Sequence, residues 1–356
     1  MKAALAINDG QNEKASETLN RLETLHIEND QIKQVIEQIK QAGKGKAYDC
    51  VLGLSGGVDS SYAAYIAKQK GLRVLGVHLD NGWNSEEAVI NIKNIAQKLE
   101  IDYESFVLDW EEFKDLQLSF LKASVPEADT PTDIAILGAL HEVAKKYNIK
   151  HIISGGNFAT EGILPKHWHY NAKDLRYFMH IHNKFGSKKL KYFPTFGFLK
   201  EFYFKIFKKV KMVYILNYIP FKKEEAMALL KEKLDWKYYG GKHYESVYTG
   251  FIQSYYLYEK FNIDYRKATL SSQICAGAVS RSEALVQLQV KPYVDERAES
   301  EMKYIAKKLE FTEQEFHEII TGTPRWYSDF PNDEKRLNWI YNFYRKVFKK
   351  EKLASF

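Results

Sequence analysis

The chain has 356 residues, enough for about two domains with a sizeable core, and its two cysteines, Cys50 and Cys275, exclude a disulfide framework or a cysteine-rich zinc site. Its net charge of +6 is concentrated in residues 184–223, where eleven lysines face one glutamate; the remainder is net negative, which excludes a protein that coats nucleic acid. No apolar run reaches the roughly 18 residues of a membrane span, and the N-terminus lacks a secretory apolar region, so no transmembrane segment and a reducing, cytoplasmic location are expected.

Residues 1–46 read as a helical N-terminal arm, with Leu19, Leu22, Leu25, Ile32, Val35, Ile36 and Ile39 at helical spacing before Gly43-Lys44-Gly45-Lys46. From Tyr48 the pattern alternates. A strand over 48–54 leads to a helix near 59–70, then a strand over 74–80 and a helix near 85–99. A strand near 104–108, helices at 110–124 and 131–147, and a strand over 151–154 follow. Short apolar strands alternating with longer helices predict an α/β fold, a parallel sheet with helices on both faces. Ligands bind such sheets beyond the carboxyl ends of the strands, where the loops 55–61, 80–84 and 154–161 fall. The alternating stretch 47–161 is expected to form one domain of this kind.

Residues 162–223 form an aromatic-basic insertion without clear periodicity. Its piece from Phe198 to Tyr218 mixes aromatics with lysines scattered round a helical wheel. A membrane-surface helix and an exposed subdomain or protein interface both remain open for it, the second being favoured. Residues 224–356 become a mainly helical region, with helices expected at 222–234, 245–261, 281–289, 295–309, 312–320 and 333–350.

The stretch that carries chemistry is Ser55-Gly56-Gly57-Val58-Asp59-Ser60-Ser61, between a buried strand and a helix. Two glycines let the backbone turn and approach a ligand closely, and the free N–H groups of the next helix favour an anion. The loop lacks the lysine of a Walker sequence, which reaches terminal phosphates. A carboxylate beside a phosphate cradle needs a divalent cation between them, so Asp59 points to Mg²⁺; a first-turn acid favoured by the helix dipole is the alternative.

SGGVDSS resembles the PP-loop of the ATP pyrophosphatases, the adenine-alpha-hydrolase-like enzymes that cleave ATP between the alpha and beta phosphates. The resemblance implies that Ser55, Gly56, Gly57, Asp59, Ser60 and Ser61 hold pyrophosphate, with Asp80 and Asn81 near the adenosine. It also gives Gly155, Gly156 and Asn157, after Ser154, a nucleotide-side role, with Glu161 close behind. The stretches SGGNFATEGILP, DWKYYGGKHYESVYTGF and KFNIDYRKATLSSQICAGAVSRSEAL look like those of the N-acetyl-sugar amidotransferases of surface-polysaccharide and nonulosonic-acid pathways. That likeness implies adenylation of the acetamido oxygen of an N-acetyl sugar, usually nucleotide-linked, and displacement of AMP by ammonia to give an acetamidino sugar. ATP and Mg²⁺ are the cofactors it implies.

Within these stretches Asp59, Glu161, Lys242, His243, Lys260 and Arg281 are the candidate catalytic residues, with Arg266, Glu245 and Asp264 as further charged candidates. Each alone also reads as a surface charge or helix ion pair. Glutamine hydrolysis needs an activated nucleophile, and neither cysteine has a glutaminase context. Ammonia is therefore expected from a partner, and the resemblance implies separate glutaminase and cyclase-like subunits; residues 184–223 are a candidate docking surface. Cysteine clusters that often open members of the family are absent from the first 45 residues. The competing reading is a tRNA-modifying PP-loop enzyme, a thiolase, whose sulfur chemistry usually needs paired cysteines or an iron–sulfur cluster.

Overall fold

The computed structural model describes residues 30–241 and 243–348. Helix α1 (Asp30–Gly43) precedes β1 (Cys50–Gly53), α2 (Val58–Gln69), β2 (Val74–Asp80), α3 (Glu86–Lys98) and β3 (Asp102–Val107). Then come α4 (Trp110–Ala123), α5 (Thr130–Lys146), β4 (His151–Ser154), the single turn α6 (Phe158–Glu161) and α7 (Leu175–Phe185). Helix α8 (Phe198–Phe202) runs on as a π-helical turn, Tyr203–Phe207, before β5 (Lys211–Tyr214) and α9 (Lys223–Leu234). The last part is helical: α10 (Val247–Phe251), a π-helical turn (Ile252–Tyr256), α11 (Leu257–Phe261), α12 (Tyr265–Cys275), α13 (Arg281–Gln287), α14 (Asp295–Leu309), α15 (Glu313–Thr321) and α16 (Glu334–Phe348). The first 29 residues of the N-terminal arm, with Leu19, Leu22 and Leu25, lie outside the described residues.

The five strands form one sheet in the order β3-β2-β1-β4-β5, with every pair parallel. Alternate residues of a strand point to opposite faces. Val51 and Ile152 join one core with Phe113, Phe120, Ile134 and Tyr248. Cys50, Leu52 and Ile153 join the other with Ile32, Ile39, Tyr62, Ile66 and Leu230. Both faces are thus covered, as the continuous apolar runs require.

Strand β5 corrects the boundary drawn at Glu161, because the stretch 162–223 supplies the sheet's fifth strand and is no separate insertion. Its register runs from His151 opposite Lys211 to Ser154 opposite Tyr214. Phe221 and Ile219 lie in the same core as α9, so the chain passes from β5 to the helical region without a break in packing.

The strand order turns back between β1 and β4: β2 and β3 lie on one side of β1, β4 and β5 on the other. A crevice opens at such a point, where the loops leaving two neighbouring strands run in opposite directions. The loops after β1 and β4 both border it.

Candidate active site at the β1–β4 switch point

The loop after β1 is shaped by its glycines and held by its own hydroxyls. Gly56 has φ +77°, and a Cβ there would lie 2.5 Å from the Ala88 carbonyl oxygen. Its carbonyl oxygen accepts from Asn91 Nδ2 (3.1 Å) and Trp236 Nε1 (3.0 Å), which pin the turn from outside. The Gly57 N–H donates to Ser55 Oγ (3.2 Å), and Ser55 Oγ lies 3.0 Å from Ser60 Oγ. Ser61 Oγ donates to the Gly57 carbonyl (2.6 Å).

Helix α2 starts at Gly57, which offers no side-chain cap. The N–H groups of a first helical turn have no intrahelical partner and carry the positive end of the helix dipole. One of them, Val58 N–H, donates to the buried Tyr239 Oη (3.1 Å). Gly155 packs the β4 loop directly onto this turn: a Cβ there would sit 2.7 Å from both Asp59 C and Ser60 N.

The resulting cavity, of about 190 Å³, is lined by Ser55, Gly57, Asp59, Ser60, Gly155, Gly156 and Glu161. Its far wall is Lys223, Tyr239, His243 and Glu245. Whole small-molecule ligands usually need about 300–1,000 Å³, so the enclosed part suits a phosphate group with the rest of a nucleotide outside it. His243 Nδ1 lies 3.6 Å from Glu245 Oε1. Burial works to raise the Glu245 carboxyl, but the neighbouring His243, its own backbone and Lys223 outweigh it and hold the carboxyl below its usual range.

The carboxylates of Asp59, Glu161 and Glu245 line the cavity with Lys223 and His243, without converging as a three-ligand metal cluster among the described residues. Such a set repels a polyphosphate unless a divalent cation neutralises it. Glu245 Oε2 is buried without a hydrogen-bond partner, as an oxygen awaiting a cation would be. All three are hard oxygen donors, and Mg²⁺ takes one or two carboxylates together with substrate phosphates. The residues therefore fit Mg²⁺ bound with a nucleotide.

Two carboxyls at the start of α5 are coupled electrostatically to residues of this cavity. Burial pushes the Asp129 carboxyl up to about 6, against hydrogen bonds from Thr132 and Thr249 and the charge of His243. Burial, with the charges of Asp129 and Glu161, pushes Asp133 up to about 8. Asp133 is exposed to solvent while many protein atoms surround it. Tyr265 of α12 shares this environment, raised by burial and by Asp133 and Glu161. Helix α12 packs on α6, and Ser272 Oγ accepts the Ile163 N–H (2.9 Å).

The structure thus gathers Ser55, Gly57, Asp59, Ser60, Gly155, Gly156, Glu161 and His243, with Glu245, at one cavity. Gly56 and Ser61 shape the loop instead of lining it. Three further candidates have other work. Asn157 is buried and caps α6, accepting from Thr160 N–H (2.9 Å). Asp80 accepts from Gly82 N–H (3.0 Å) at the end of β2, and Asn81 from Trp83 N–H (3.1 Å).

Lys260 is corrected outright. It is buried and donates to the carbonyls of Ile319 and Gly322, closing the carboxyl end of α15. Burial lowers it to about 8. Arg281 is an exposed first-turn residue of α13, away from the cavity lining. Arg266 and Asp264 pair with each other through Nη2 and Oδ2 (2.7 Å), with Arg266 also reaching the Val290 carbonyl. Lys242 lies outside the described residues.

Sequence reasoning missed Lys223, Tyr239, Asp129 and Asp133. Tyr239 stands in the quoted DWKYYGGKHYES stretch and was available as a signal. Thr130-Pro131-Thr132-Asp133 reads as an ordinary helix start, and Lys223 as one lysine among eleven.

Residues 28–124 match a family model described as NAD synthase, and residues 245–347 one described as LPS biosynthesis protein WbpG-like, C-terminal domain. Among curated relatives, the probable mitochondrial tRNA-specific 2-thiouridylase 1 of Caenorhabditis elegans is 28% identical over 139 residues, 35% of this chain and 36% of that one. The tRNA-specific 2-thiouridylase MnmA of Helicobacter hepaticus is 36% identical over 91 residues, 24% of this chain and 26% of that one. The chain spans well under half the length of these relatives. Among solved structures, NMN synthetase from Francisella tularensis aligns over 79% of this chain and 95% of that one, at 15% identity and a TM-score of 0.38. The NH3-dependent NAD synthetase of Campylobacter jejuni aligns over 38% and 60%, at 17% identity and a TM-score of 0.30. The chain is thus similar to the NAD synthase family over residues 28–124 and to the WbpG-like C-terminal domain of LPS biosynthesis over residues 245–347, each match covering less than a third of its length.

Proposed function

We propose that the protein is an ATP-dependent amidotransferase acting on an N-acetyl sugar, nucleotide-linked, in surface-polysaccharide biosynthesis. The observation that carries this reading is the seat of the WbpG-like domain. Its helix α12 packs on α6, the turn that carries Glu161 into the phosphate cavity. In this reading the segment similar to the WbpG-like domain packs behind the turn that lines the cavity assigned to adenylation.

In this reading the acetamido oxygen attacks the alpha phosphorus of ATP and pyrophosphate leaves, held by the α2 amino terminus, Ser55 and Ser60. The amide oxygen, a poor leaving group, becomes part of an imidate whose AMP departs readily. Ammonia adds to the imidate carbon, AMP leaves with the former amide oxygen, and a proton is lost to give the amidine. Asp59 and Glu245 would hold Mg²⁺ together with the nucleotide, and the ion would offset charge on the phosphates. Lys223 and His243 supply the protein's own positive charge, and Tyr239 fixes the first turn of α2. Asp129, Asp133 and Glu161 give the crevice carboxylates that attract ammonium and take up its protons, two of them with the raised pKa that suits a base near neutrality.

Ammonia comes from a separate glutaminase in this reading, because the cysteines of the chain are poor nucleophile candidates. Burial raises the Cys50 thiol far above its ordinary range, and Cys275 is exposed on α12 without an assigned base. The same point weighs against tRNA thiolation, which the curated relatives' names suggest for those proteins. The test is to incubate the protein with ATP, Mg²⁺, ammonium and candidate nucleotide sugars. AMP and pyrophosphate should appear together with the mass change of an oxygen-to-NH exchange on the sugar. AMP formed only when tRNA is supplied would replace this reading with the thiolase one.

A further inference from the structure

The aromatic-basic stretch has a physical use that the adenylation site does not absorb. Helix α8 and its π-helical continuation have two apolar sides. One faces inward, where Phe204 packs on Phe196 and on the ring of His141. The other faces out. Leu199 is 80% exposed, Phe207 69%, Phe202 42% and Tyr203 38%. With the half-buried Ile206 these stand at positions i, i+3, i+4, i+7 and i+8, the spacing of a single helical stripe. The rings of Phe202 and Phe207 are 6.3 Å apart, and those of Tyr203 and Phe207 6.1 Å, so the patch is contiguous.

The exposed charged residues of the stretch 188–209 are all lysines, of which Lys188 also pairs with Glu111 of α4 (3.5 Å). Lys200, Lys205, Lys208 and Lys209 flank it, and Lys188, Lys189 and Lys191 stand exposed just before it in the chain, beside the exposed Tyr192. The one carboxylate of the stretch, Glu201, is turned inward. It accepts from Lys173 (2.9 Å), Lys205 (2.6 Å) and the Tyr341 hydroxyl (2.9 Å). The scattered lysines, which on a helical wheel leave no clean polar face, thus border an apolar stripe that the fold turns outward.

Protein interfaces share the aromatic content but are depleted in lysine, whereas helices that lie in a lipid headgroup region combine lysines with Phe and Leu. We infer that this surface docks reversibly on an anionic lipid bilayer. Leu199, Phe202 and Phe207 enter the boundary between headgroups and acyl chains, and the lysines meet lipid phosphates. The inference is independent of the adenylation reading, since docking requires neither ATP nor sugar.

The experiment is co-sedimentation of the full chain with vesicles of phosphatidylethanolamine and phosphatidylglycerol, and separately with phosphatidylcholine vesicles. The chain should partition onto the anionic vesicles at low salt and not onto the neutral ones. Leu199→Ser combined with Phe207→Ser should weaken that partition at least about tenfold, with thermal stability unchanged because both side chains are exposed. Lys208→Glu with Lys209→Glu should weaken it similarly. Failure to partition onto the anionic vesicles overturns the proposal, as does wild-type partition by the Leu199→Ser, Phe207→Ser variant. If that variant instead dissolves a dimer detected by light scattering without lipid, the patch is a self-interface and the proposal also fails.

Discussion

Substituting Gly155 by alanine tests how tightly the loops after β1 and β4 are set against each other. The added Cβ would lie 2.7 Å from Asp59 C and Ser60 N and 2.9 Å from the Asp59 carbonyl oxygen. These are backbone atoms at the start of α2 and cannot rotate away. Restoring ordinary contact at 3.4 Å requires the loops to separate by 0.7 Å. Overpacking of this kind costs about 1–3 kcal/mol, which lowers the melting temperature by several degrees. A displacement approaching 1 Å in a positioning loop also lowers turnover by about 10²-fold. Gly156→Ala is the control within the same loop, because its nearest neighbours are Tyr214 ring atoms at 3.3 Å. The assays are thermal melting and AMP formation with ammonium as nitrogen donor. If Gly155→Ala melts and turns over like the wild type, the loops are not packed as described.

Asp133 carries a pH signature. Its carboxyl is raised to about 8 in the folded chain from an ordinary value near 3.8, so the folded state binds the extra proton. Stability should therefore fall as pH rises between those values, and Asp133→Asn should remove the slope in melting curves. In catalysis at fixed free ammonia, the rate should rise through pH 6 to 8 in the wild type and flatten at the upper end in Asp133→Asn. Glu201 behaves oppositely: despite its burial, Lys173 and Lys205 hold it down to about 2. Glu201→Gln should destabilise by on the order of 3 kcal/mol near neutrality, with the gap closing as pH falls from about 4.5 towards about 2 in acid unfolding curves. Cys275→Ser should leave ammonium-dependent AMP formation intact; loss of activity would point to sulfur transfer.

The nucleotide half was legible because its signals are local. The strand 50–53, the glycine turn and α2 follow one another within twenty residues, and the alternation of strands and helices places their loops on one edge. Strand β5 escaped because Lys211-Met212-Val213-Tyr214 is four residues long between lysine-rich neighbours, and its identity comes from pairing with β4 sixty residues earlier. Lys260 misled for a similar reason. Its partners at Ile319 and Gly322 are remote in sequence, so a charge inside a family-like stretch looked chemical when it serves as a helix cap. Asp133 was hidden because its raised pKa depends on Asp129 and Glu161 meeting in three dimensions.

The central claim is that the acetamido oxygen itself takes the adenylyl group. The direct measurement uses a sugar carrying heavy oxygen in its acetamido group, with ATP, Mg²⁺ and ammonium, and locates the label by mass spectrometry. The account predicts the label in the phosphate of AMP and an unlabelled amidino sugar. Label retained on the sugar, or AMP released without it, would contradict the account.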